Sequence, residues 1–121
     1  MNAVQLLESV IGALNENAEL FAKVKLDRLD TEGISAELIG GKNESEYLSG
    51  GALQTLPVLF LSKSAEQRNA FVSLYKIYSY LTGSKPAALV FTRLDSSPSL
   101  VDSGENAYVY EMQLTFGFFA E

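Results

Sequence analysis

The segment Tyr108–Phe119 constrains the fold more than any other. Tyr108, Tyr110, Met112, Leu114, Phe116 and Phe118 alternate with Val109, Glu111, Gln113, Thr115, Gly117 and Phe119. Successive side chains of an extended chain point to opposite faces, so this strand has one uninterrupted apolar face and one mixed face. Such a strand belongs in a sheet covered by helices on one side and wetted on the other. The pattern changes at its end, because Phe118 and Phe119 must point to opposite faces. One of them serves the core. The other needs a second cover, either a loop of the same chain or a neighbouring subunit, and Phe119 is a candidate interface residue on that ground.

A cover for the apolar face is readable in Leu56–Lys85, around which the rest of the chain is arranged. Leu56–Leu61 is short, branched and aromatic, as a buried strand is, and Pro57 is tolerated at a strand's start. Ser62-Lys63-Ser64 breaks the pattern, and Ala65–Thr82 then repeats with helical period. Ser64 is the expected N-cap, with Gln67 completing a capping box. Ile77, Leu81, Leu74, Tyr78, Phe71 and Tyr75 fall in one arc, the expected core face, and leave Arg68, Asn69, Ser73, Lys76 and Ser79 outside it. Gly83 is the expected left-handed terminus, and Pro86 stops continuation. Val72, Lys76 and Tyr80 line up at i, i+4 and i+8 on the far side, a second candidate interface, although singly exposed apolar residues are ordinary.

The remaining segments place smaller elements. Residues 2–15 read as a helix capped by Asn2 with Gln5, and Asn15-Glu16-Asn17 reads as a break. Val24 and Leu26, the turn Asp30–Gly33, and then Ile34, Ala36 and Leu38 suggest a hairpin over 22–39, with Phe21 out of phase. Gly40–Gly51 reads as a long loop, in which Tyr47 and Leu48 are either an anchor or a partner-binding tip. A strand is expected from Ala88 to Leu94 and a polar loop from Asp95 to Asn106. The order α-β-β-β-α-β-β fits an α+β fold: a mostly antiparallel sheet with two helices packed on one face.

Composition limits what such a fold can do. With 121 residues, of which 47% are hydrophobic, the chain reads as a single domain over 1–121 that buries about two-thirds of its unfolded surface. No apolar run approaches the roughly 20 residues of a membrane span. The first basic residue is Lys23, so a secretory signal is not expected. Cysteine and histidine are absent, which removes disulfides, thiolate or imidazole zinc sites and the usual nucleophile–base pairs. The net charge of −6 lacks the basic footprint that holds nucleic acid. It serves solubility, or it lets DNA pass without sticking.

Gly41-Lys42 fails as a phosphate loop, because Ala36 stands where its first glycine belongs and Asn43 replaces the Ser/Thr. Two carboxylate groups, Asp27/Asp30/Glu32 and Asp95/Asp102/Glu105, lack calcium-loop spacing and read as solvated turns. Asn43-Glu44-Ser45 matches a glycosylation sequon, which has no meaning without secretion. The expectation is no enzyme, no cofactor and no metal.

In their order along the chain, Tyr47-Leu-Ser-Gly50, the Leu56–Lys63 strand, Ser64–Ala70 with Leu74–Ile77 and Tyr80-Leu81, Pro98, and Tyr108-Val-Tyr110 are familiar. The chain resembles a family of small siphophage proteins labelled minor capsid proteins, whose fold looks like that of tail terminators or tail completion proteins. Where the family carries an acidic residue in its loop, Ser49 stands here. The resemblance implies a structural protein without catalytic residues. Copies of it form a ring, commonly a hexamer, that caps the tail-tube protein and meets the head connector protein. DNA then passes without sequence-specific binding and no membrane is involved. The place implied is the virion, at the head–tail junction, after synthesis in the host cytoplasm. A tail-tube or head–tail joining subunit, or a cellular ligand-binding or regulatory α+β domain, are the alternatives.

Overall fold

The alternating C-terminal segment is the spine of the sheet. The computed structural model describes residues 2–26, 29, 31–39, 45–48, 51–86, 89–104 and 107–120, with the side chains of 45–48, 51, 52 and 120 excepted. The elements are α1 (Ala3–Asn17), β1 (Val24–Lys25), β2 (Gly33–Leu38), β3 (Ser45–Leu48), β4 (Gly51–Ser64), α2 (Gln67–Ser84), β5 (Leu89–Ser103) and β6 (Tyr108–Ala120). They build a six-stranded sheet in the order β1-β2-β4-β6-β5, with β3 as a further neighbour of β4. Every pairing is antiparallel except β1 with β2. The fold is α+β.

β6 pairs with β4 from Ala52↔Ala120 to Ser64↔Tyr108, and with β5 on its other side. The even-numbered side chains of both strands share a face: Leu56 lies opposite Phe116, Val58 opposite Leu114 and Phe60 opposite Met112. All of these are buried. Leu6, Leu7, Val10 and Leu14 of α1 join them in one cluster with Ala70, Leu74, Ile77 and Leu81 of α2. Both helices cover this face, as the alternation of β6 demands. Each fully buried side chain of this size contributes about 1.5–3 kcal/mol.

α1 begins as expected, with the Gln5 amide donating to Asn2 Oδ1 at 2.8 Å and the Asn2 amide donating to Gln5 Oε1 at 3.0 Å. It runs through the expected break to Asn17, whose side chain donates to the Ala13 carbonyl.

The hairpin over 22–39 does not form. β1 begins late, at Val24, leaves Phe21 out, and runs parallel to β2 with Val24 opposite Ile34. The end of α1 holds Val24 by both of its backbone polar groups, so the helix rather than the turn sets the strand's direction.

Part of the expected loop at 40–51 is also strand. Ser45–Leu48 pairs with Gly51–Gln54, because β2 stops at Leu38↔Val58 and leaves that edge of β4 open. Backbone pairing needs no apolar face there. Residues 40–44, 49 and 50 lie outside the described residues.

Pro57 sits mid-strand rather than at the start. Its carbonyl accepts from Ile39 N, and a strand residue's carbonyl and amide point to the same side. The missing N–H therefore falls in the gap between β2 and β3, and the β4–β6 ladder stays whole.

Asp95–Ser103 is strand as well. β5 carries register shifts between Leu94 and Ser96, Ser96 and Ser99, and Leu100 and Asp102. Pro98 falls inside one of them, where an edge strand tolerates it.

α2 departs from expectation at both ends and in its rotation. Ser64 closes β4 and its Oγ accepts from the Glu66 amide at 3.1 Å, while Glu66 holds the N-cap position without a side-chain bond to the helix backbone, its carboxylate accepting from Asn69 Nδ2 instead. The left-handed residue is Lys85 at φ 43°, not Gly83, since Pro86 disfavours helical geometry in the residue before it. Ala70 and Ser73 are buried. These small side chains let the helix lie close to the sheet, and Phe71 and Tyr75 are displaced to the rim. No described helix is long and apolar enough to cross a membrane.

Candidate functional site

The rotation of α2 opens a groove on its outer side. Phe71 is 37% and Tyr75 56% exposed, and with Val72, Tyr80, Ser79 and Ala18 they line an open groove of about 510 Å³. Lys76 lies in its wall and donates from Nζ to the Glu19 carbonyl at 2.9 Å, tying the segment after α1 to α2. Val72, Lys76 and Tyr80 all line this groove, but Tyr80 also packs against the buried cluster and so does not stand on the side away from the core as the helical spacing suggests. Phe71 and Tyr75 belong to the groove and not to the core. Their size was the available signal, since a helix that lies flat on a sheet puts its small residues, Ala70 and Ser73, underneath. The Phe71 ring also meets Tyr110 edge-on, with centroids 5.5 Å apart. Tyr110 in turn accepts from Gln67 Nε2 at 2.8 Å.

A second apolar surface lies on the helix-free face of the sheet. Phe118 is 1% exposed and Phe119 44%, so the two rings divide between core and surface. Leu53 is paired directly opposite Phe119. Two residues earlier, the Phe91 ring covers Gly117 so closely that a Cβ there would lie 2.0 Å from it. Glycine at 117 is needed for that close approach. Leu53, Phe91 and Phe119 therefore make a patch at one end of the open face.

Of the other predicted interface residues, Tyr47 and Leu48 lie in β3 opposite Ala52 and Gly51, and their side chains fall outside the described ones.

Among the described residues the carboxylates are not gathered. Asp27, Asp30 and Glu105 lie outside the described residues. Glu32 accepts from the amide of Ala65, between β4 and α2. Asp95 accepts from Arg93 Nε at 2.8 Å and from the Thr115 hydroxyl. Burial of Asp95 opposes its charged form, but the Thr115 and Arg93 hydrogen bonds and the Arg93 charge outweigh it, and its carboxyl is held below the ordinary value. Asp102 is aligned with Val109, further along the strand. Among the described residues no group of three or more His, Cys, Asp or Glu side chains is placed to hold a metal ion.

No model of a known protein family matches the chain, and a search of curated proteins finds no match either. Fold and surfaces define an α+β domain with exposed apolar side chains at several places, the α2 groove and the Phe119 patch among them. What such surfaces do chemically is bind other apolar surfaces.

Proposed function

We propose that this chain is a structural bacteriophage protein, a tail terminator or completion subunit. Copies join in a closed ring that caps the tail tube, meets the head connector and carries out no catalysis. In the virion it sits at the head–tail junction. The resemblance of the Tyr47–Gly50, Leu56–Leu81 and Tyr108–Tyr110 segments supports this reading. The observation that carries it is the pair of distinct apolar surfaces, the groove over α2 and the Leu53/Phe91/Phe119 patch. A ring closes through heterologous contacts, in which each copy presents two different patches. The net charge of −6 suits a channel through which DNA passes without adhering.

A second reading rests on the groove alone. Its volume of about 510 Å³ falls in the range of small-molecule pockets, about 300–1,000 Å³, as a ligand-binding domain needs. Sedimentation velocity over a wide concentration range separates the readings. A single closed species that stops growing supports the ring. Open-ended filaments point to a tube subunit, and a strict monomer that binds a metabolite points to the ligand domain.

A further inference from the structure

We infer that Asn15 is an edge stop: its carboxamide occupies the outer boundary of the sheet and keeps further strands from adding there. β1 is the terminal strand on its side. Val24 donates from its amide to Asn15 Oδ1 at 2.7 Å, and Asn15 Nδ2 donates to the Val24 carbonyl at 3.0 Å. Both polar groups of a strand residue point the same way, and β2 lies on the other side of β1, so Val24 directs them outward. A primary amide offers the same donor–acceptor pair as a peptide group. The Asn15 side chain therefore stands where the backbone of an incoming strand would pair. Val24 is 2% exposed, so water does not replace this contact.

The device matters because an open sheet edge is a template for uncontrolled pairing. At the opposite boundary β5 is protected differently, by its register shifts, by Pro98 and by the charges of Arg93 and Asp95. Strand addition is thereby blocked at β1 and hindered at β5, the two ends of the strand order. The inference concerns the sheet edge and holds whether or not the ring reading is correct.

Amide exchange and sedimentation test it together. In the wild-type chain the Val24 amide is expected to be protected although it faces outward from the terminal strand. In Asn15→Ala it should exchange about five- to tenfold faster, the equivalent of one hydrogen bond, and sedimentation should show open-ended growth beyond the wild-type species. Asn15→Asp keeps the acceptor and loses the donor. It should retain Val24 protection, leave the carbonyl open, and also grow. If Asn15→Ala does not fold, the wild-type exchange and the Asn15→Asp variant decide. A Val24 amide that exchanges at the open-chain rate in the wild type overturns the inference. So do folded variants that sediment as the wild type does.

Discussion

The two faces of the sheet are made by the same strands and teach opposite lessons. On the helix-covered face Val58, Phe60, Met112, Leu114 and Phe116 have no exposed surface, and their positions follow from alternation and helix period. On the open face Phe119 remains exposed, Gly117 lies beneath a phenylalanine ring, and Asp95 is held by Arg93 and Thr115. The first face decides whether the chain folds. The second, with the outer side of α2, decides what it touches.

The largest effect should come from the covered face. Phe60→Ala removes a ring that meets Phe116 edge-on at 6.4 Å and is expected to lower stability by about 3–5 kcal/mol. Denaturant unfolding measures this, and a loss no greater than that of a surface substitution would show that the core has been misplaced.

Next is Gly117→Val on the open face. A Cβ there would lie 2.0 Å from the Phe91 ring, so the ring must move, at a cost of about 1–3 kcal/mol. Phe91→Ala should relieve most of it. Additive losses in the double variant would mean that the two positions do not touch.

Asn2→Ala tests how the cover is fastened. Loss of its bond to the Gln5 amide should cost about 1 kcal/mol, read as a shift in the denaturation midpoint. No shift would mean that the helix start is held by other contacts.

The smallest effect concerns pH. Because the Asp95 carboxyl titrates below its ordinary value in the folded chain, its contribution is present above the unfolded value and is lost as pH falls through the folded one. Asp95→Asn should therefore lower stability modestly at neutral pH and converge with the wild type at the acid end, where the wild-type carboxyl is protonated too, so that the acid limb is flattened, with part of the effect screened by salt because Arg93 is 60% exposed. An unaltered acid limb would contradict the pairing.

What was legible in the sequence follows from what each residue competes with. β6 and α1 were readable because a local pattern, alternation or a capping box, agrees with the final environment. α2 was readable as an element but not in its rotation. Hydrophobicity puts Phe71 and Tyr75 inside, whereas close packing puts Ala70 and Ser73 there. β3 and the second half of β5 were not readable, because edge strands are recruited by free backbone groups and need no apolar side chains. The parallel run of β1 depends on Asn15, nine residues away, which a turn-based reading cannot weigh. For the candidate site, Val72, Lys76, Tyr80 and Phe119 could be singled out beforehand. Leu53 and Phe91 emerge only from pairing register.

Assembly through two unlike patches is tested most directly by mixing variants. Val72→Glu charges the groove and leaves the Phe119 patch intact; Phe119→Ser does the reverse. Both should fold as the wild type does, since neither residue belongs to the buried cluster, and neither alone should form the ring. Mixed in equal amounts and examined by native mass spectrometry, they should give a one-to-one heterodimer and nothing larger, because only one productive contact remains between them. Wild-type-like rings from either variant alone, or a mixture that stays wholly monomeric, would contradict assembly through these surfaces.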